Sequence, residues 1–205
     1  MKNSIQLISI LSILVLVCAC NGTSKKESPV KKEMVANDKM AGKNNKQDDF
    51  LENLKHTSPL NYSVLEAWLP KGLGGLPLDF SKPGPSLFKN SSQIIGNYLD
   101  EQSKKSILLL VLDTAGPEGN GYASKNKSYG RLKTDMEVDG MVMKSVSVGD
   151  VGAEQTYIPK KNNTQLSFAK HDRFMIKVVA NNFNVEETWS FINELDFEAL
   201  RNLSN

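Results

Sequence analysis

Cysteine is nearly absent from this chain of 205 residues, which has only Cys18 and Cys20. From Asn21 onward there is no thiol, so a disulfide framework, a cysteine nucleophile and a thiolate metal site are excluded together. Histidine is as scarce: His56 and His171 are too few for most catalytic zinc centres. Charge of one sign is lacking too, since the net value is +2 and no basic stripe accompanies it. A nucleic-acid partner is therefore not expected. Apolar runs long enough to approach a membrane span are missing everywhere except at the extreme N-terminus.

That N-terminus reads MKNSIQLISILSILVLVCAC. One cation, Lys2, precedes an apolar stretch through Val17, and a small residue stands before Cys20, the pattern of a secretory signal. The run Val17-Cys18-Ala19-Cys20 resembles the lipobox of bacterial lipoproteins. The resemblance implies cleavage after residue 19 and acylation of Cys20 on its sulfur and new amino group. An uncleaved N-terminal anchor is the alternative, and either places the following domain outside the cytoplasm. Asn21 stands where Asp retains lipoproteins at the inner membrane in enterobacteria, so the resemblance implies the outer membrane, and the lack of an acidic run directly after Cys20 points to a periplasm-facing protein.

Residues 20–47 are rich in Lys and Asn and nearly free of large apolar side chains. Such a segment buries too little apolar surface to offset its ordering entropy and is expected to be a disordered tether. As a flexible coil it would reach about 25–30 Å, holding a globular domain, 48–205, just off the membrane. Within that domain Ser63–Leu69 reads as a short helix, with Ser63 as cap, Glu66 completing a capping box and Pro70 ending it. The glycines of Leu73-Gly74-Gly75-Leu76 suggest close backbone approach at a buried corner rather than a phosphate cradle, for which no Lys-Ser/Thr follows.

Phe80–Asn90 reads as turn-rich, and Ser92–Asp100 as a strand. Ser106–Asp113 is a continuous apolar run suited to a central strand buried on both faces, and it forms a hairpin with the strand before it. A long Gly-rich loop, 114–128, follows. Alternating strands are expected over Leu132–Val138, Met141–Val148, Ala153–Ile158, Gln165–Lys170 and Arg173–Ala180, with a His171-Asp172 turn between the last two. Asn184 and Glu187 form a capping box for a helix whose apolar face is Val185, Trp189, Ile192 and Leu195. Asp196 opens a last turn or two in which Phe197, Leu200 and Leu203 pack. The sum is one α+β domain, mainly an antiparallel sheet of about six or seven strands, with a short N-terminal helix and a C-terminal helix packed on it.

The motifs that suggest chemistry are weaker. Leu112-Asp113-Thr114-Ala115-Gly116 is similar to the γ-phosphate-sensing segment of small GTPases, but the cradle Gly-x-x-x-x-Gly-Lys-Ser/Thr is missing. Asp113 then reads as a strand-end turn residue. Asp135, Glu137 and Asp139 would lie on one face of a strand, where alternate side chains sit about 6.5–7 Å apart. A metal-assisted hydrolase using Asp113, Asp135, Glu137 and Asp139 is the alternative reading of function. His171 with Asp172 at a turn, with no Gly-x-Ser-x-Gly elbow elsewhere, does not make a nucleophile site.

The leading expectation is a non-catalytic, lipid-anchored envelope protein that binds a protein partner or an apolar ligand and needs no cofactor. Trp68-Leu69-Pro70 with Leu73-Gly74-Gly75-Leu76, and Arg173 to Val178 leading into the last helix, resemble uncharacterised bacterial envelope proteins with a PsbP-like α/β/α sandwich. That resemblance transfers no catalytic residues, and Cys20 is the one functional residue expected. Cys20→Ala should abolish incorporation of labelled palmitate and release the protein from the membrane fraction. Retained label would refute the anchor.

Overall fold

The computed structural model describes residues 41–203 other than 127 and 132, with side chains from residue 49 except at 126. Those residues form an α+β fold around one sheet of nine antiparallel strands. Two helices come first, α1 (Ala41–His56) and α2 (Tyr62–Trp68). Then follow β1 (Gly72–Leu73), β2 (Leu76–Pro83), β3 (Ser92–Asp100) and β4 (Lys105–Asp113). A short helix, α3 (Asn120–Asn126), leads to β5 (Asp135–Val138), β6 (Met141–Val148) and β7 (Val151–Ile158). A 3-10 turn precedes β8 (Asn163–Lys170) and β9 (Phe174–Asn181), and α4 (Val185–Ile192) and α5 (Phe197–Asn202) close the chain.

The strand order is β1-β2-β3-β4-β9-β8-β7-β6-β5. Two meanders, β1–β4 and β5–β9, are thus joined at a single non-sequential pairing, β4 with β9. Its register runs from Ser106 opposite Asn181 to Asp113 opposite Phe174. The chain reaches the far edge from β4 by crossing the sheet: a Cβ on Gly130 would lie 2.7 Å from the Gly152 Cα. Only glycines at both positions let backbone pass so close to backbone.

One face of the sheet carries the core. Ile94 and Tyr98 of β3, Ile107, Leu109 and Val111 of β4, Ile176 and Val178 of β9, and Leu166 and Phe168 of β8 pack there with Leu65, Leu69, Trp189, Phe191, Ile192 and Leu200 from α2, α4 and α5. The two tryptophans close this layer and satisfy their N–H groups: Trp68 donates to the Asp196 carbonyl at 2.8 Å and Trp189 to Gln155 Oε1 at 3.0 Å. A separate small cluster of Leu54, Ala115 and Ala123, with Leu51 against it, ties α1 to α3.

Nine strands stand where six or seven are expected. The additional two, β1 and β2, carry Pro77 and Pro83, which argue against a strand from sequence. They are tolerated because β1 is only two residues long, leaving most of β2 as an edge. A bulge between Leu78 and Phe80 shifts its register. The turn-rich reading of Phe80–Asn90 therefore fails for its first four residues, which belong to β2.

Other differences are local. Strand β4 is fully buried on the core face, while Leu108 and Leu110 on its other face remain half-buried. The 114–128 stretch is not all loop, since α3 lies within it. Helix α1 includes residues 41–47, which composition assigns to the tether. Helix α2 starts two residues earlier than expected, with Asn61 rather than Ser63 as N-cap and no side-chain cap bond. Glu66 instead accepts from the Ser81 and Tyr62 hydroxyls, which hold its carboxyl below the usual range.

Other expectations hold. The Asn184–Glu187 capping box forms with both hydrogen bonds, at 2.9 and 2.8 Å. Asp196 caps α5 by accepting from the Ala199 N–H at 2.8 Å, although Leu203 is exposed rather than packed.

The Gly74–Gly75 corner is as close as its sequence suggests. Gly74 has φ +58°, and a Cβ there would meet Phe191 Cδ1 at 2.9 Å and Ile107 Cδ1 at 3.0 Å. Gly75 has φ +78° with nothing nearby. Gly74→Ala should cost about 2–4 kcal/mol from strain plus overpacking. Gly75→Ala should cost about 1 kcal/mol from the left-handed backbone alone. Urea denaturation of the two variants checks the difference, and equal losses would refute the packing account.

Candidate functional site

Cys20, the signal segment 1–19 and the tether up to residue 40 lie outside the described residues. The other residues singled out from sequence fall into two separate places.

Asp113 ends β4 inside the fold, at 0% exposure, opposite an almost equally buried Arg173 at 6%. Arg173 Nε donates to Asp113 Oδ1 and Nη2 to Oδ2, each at 2.7 Å. The same carboxylate accepts the Ala115 N–H at 3.0 Å and the Leu60 N–H at 2.8 Å. Arg173 Nη2 also reaches the Ser58 carbonyl at 3.4 Å, and the Thr114 N–H and hydroxyl both donate to the Arg173 carbonyl. Four protein donors thus occupy Asp113, which leaves it poorly placed to hold a metal or move a proton. It is a staple joining β4, the β8–β9 turn and the α1–α2 linker.

Asp135, Glu137 and Asp139 belong to the opposite end of the sheet. Strand β5 is its edge, five steps from β4 in the strand order, or about 24 Å at roughly 4.8 Å per step. Asp113 cannot share an ion with them. Nor do the three lie on one strand face. Asp139, with Gly140, makes the two-residue turn between β5 and β6, at φ +53° and +75°, the signature of a type I′ hairpin. Asp135 makes a loose ion pair with Lys144 at 3.9 Å, both exposed. Among the described residues no group of three or more His, Asp or Glu side chains is placed to hold a metal ion.

His171 and Asp172 do form the β8–β9 turn, both at positive φ, but the loop has three residues because Lys170 pairs with Phe174. Arg173, expected as the first residue of the strand, is therefore its third turn residue. The His171 ring donates from Nε2 to the Phe197 carbonyl at 2.8 Å, fastening the turn to α5. This is a packing role.

Sequence reasoning missed two features. The first is Arg173 as Asp113's partner. An isolated Arg in a hairpin turn carries no signal of a contact 60 residues away. The second is the exposed apolar surface of the β5–β6 hairpin. Met136 and Val138 are 48% and 49% exposed. They stand opposite Met143 and Met141 in register, so all four share one face. The alternation of β5 was legible, but which of its faces would be covered was not.

Of the clefts, one of about 390 Å³ between β8 and α4 is lined mainly by Val148, Val151, Phe168, Trp189, Ile192 and Phe197, and two others are more mixed. The first of these, of about 520 Å³, lies between α1 and the β8–β9 turn, lined by Phe50 and Leu54 but also by Asn53, Thr57, His171, Asp172, Arg173 and Arg201. The second, of about 370 Å³, contains the buried Gln93 carboxamide and Ser92 hydroxyl, neither bonded among the described residues. Both have mixed linings, and buried polar groups such as those of Gln93 and Ser92 are of the kind that hold ordered water.

Comparison with protein-family models, with curated proteins and with solved structures returns no match for this chain. Among the described residues no helix is long and apolar enough to cross a membrane.

Removing one partner of the buried pair strands the other's charge. Arg173→Leu should lower stability by about 3–5 kcal/mol. Adding Asp113→Asn to that variant should recover part of the loss, because the buried charge goes and an acceptor for Leu60 N–H stays. Chemical denaturation of the single and double variants checks this. A loss below about 1 kcal/mol for Arg173→Leu would show an ordinary surface pair.

Proposed function

We propose that this chain is a lipid-anchored, non-catalytic protein of the bacterial envelope, held to the outer membrane through Cys20 and facing the periplasm. Its β5–β6 hairpin docks a protein partner. The observation that carries the reading is the pair Met136 and Val138, about half exposed on an edge strand, next to the half-buried Met141 and Met143. Apolar side chains gathered on one exposed face mark an interaction surface, and methionines adapt their shape to a partner. The burial of Asp113 against Arg173 supports the non-catalytic part, because it withdraws the carboxylate best placed for chemistry.

A protein partner fits better than an apolar ligand because the large apolar side chains left exposed at Met136 and Val138 lie on an edge strand rather than in any of the clefts described above. The tether gives such a surface room to meet partners near the membrane. A photocrosslinking residue at Val138 in cells should yield a discrete higher-mass adduct, and one at Glu186, exposed on α4, should not. No adduct at Val138, or the same adduct at both positions, would sink the reading.

A further inference from the structure

We propose that the partner binds by adding a strand to β5, as an extended segment that alternates basic and apolar residues. The inference rests on the reading that this hairpin is the docking surface and specifies how the docking works.

The hydrogen-bond phase of the hairpin provides the first argument. The Ser145 N–H donates to the Thr134 carbonyl at 2.8 Å. Antiparallel ladders alternate bonded and non-bonded pairs, so Met136–Met143 and Val138–Met141 are the next bonded pairs in register. The N–H and C=O groups of Asp135 and Glu137 therefore point away from β6. Strand β5 is the last in the sheet, and among the described residues no strand pairs with its outer side. These groups are open to an incoming backbone.

Side chains select the occupant. A strand laid against β5 would place residues directly opposite Asp135 and Glu137, whose side chains share the face of Lys144 and Val142. Opposite charges at such cross-strand positions stabilise pairing and like charges oppose it. A second copy of β5 is therefore disfavoured, and Lys or Arg is favoured at these positions. The intervening residues would lie over Met136 and Val138, where apolar side chains bury exposed surface. Carboxylates alone would serve only to keep an edge from aggregating. Two large apolar residues exposed on the same short strand do not serve that purpose.

The test uses the full chain in uncharged detergent and three fluorescent peptides read by anisotropy. One alternates lysine and valine, one alternates glutamate and valine, and one is the lysine–valine peptide N-methylated on the face that would bond β5. The lysine–valine peptide should bind. The other two should bind roughly tenfold or more weakly, from like-charge contacts and from lost backbone hydrogen bonds respectively. Glu137→Pro removes an outward N–H without touching the β6 ladder, as edge prolines do. It should weaken the parent peptide by a similar factor at unchanged melting temperature, and Glu137→Gln should weaken it less.

Equal binding of the N-methylated and parent peptides would overturn strand addition. Equal binding of the acidic peptide would overturn the charge assignment. If no peptide binds while the crosslinker at Val138 still captures a discrete partner, strand addition fails and the docking surface stands.

Discussion

Every strand of the sheet pairs with its neighbours in sequence except where β4 meets β9, and there Asp113 and Arg173 bind each other out of reach of water. This seam unites two meanders that would otherwise be separate ribbons with exposed inner edges. Closing about 60 residues of intervening chain costs roughly 3–4 kcal/mol of conformational entropy. The apolar run Ile107–Leu112 against Met175–Ala180 supplies most of what offsets that cost. The ion pair contributes register, because a slip by one residue would leave a buried carboxylate without its donors. At the other end of the seam, Asn181 Nδ2 donates to the Ser106 hydroxyl at 2.9 Å and Asn182 Nδ2 to the Lys104 carbonyl at 2.6 Å. Polar clamps thus bracket an apolar pairing.

The same seam decides what the carboxylates do. By fixing Asp113 inside the fold, five strands from Asp135 and Glu137, it divides acidic residues that sequence places within one stretch into a structural group and an edge group. The edge group lies on the strand farthest along its meander, beside exposed Met136 and Val138. That combination of open backbone, carboxylates and apolar side chains is what the proposed docking of a partner rests on.

Much of the fold was legible because its strongest elements obey simple rules. Ser92–Asp100 alternates and forms β3 over those same residues, and Asn184 with Glu187 caps α4 as its spacing requires. The β8–β9 hairpin declared itself by alternation around His171-Asp172. What escaped depended on long-range context. Strand β2 contains two prolines and exists because β3 templates it. Asn61, rather than Ser63, begins α2 because tertiary contacts of Glu66 with Ser81 replace the local box. Asp113 was read as a strand-end residue and does end β4, yet its partner was invisible. No local pattern marks Arg173 as the one residue whose guanidinium would face it.

Native-state amide hydrogen exchange, resolved by residue, tests most directly the claim that the seam is locked and the β5 edge is open. The amides of Leu60 and Ala115, which donate to Asp113, should be protected to the level of the β4 and β9 ladder. The amides of Asp135 and Glu137 should exchange close to the rate of unstructured chain. Free exchange at Leu60 and Ala115 beside a protected β4 would show that Asp113 is not a structural staple. Strong protection at Glu137 in the isolated protein would show that the edge is already occupied.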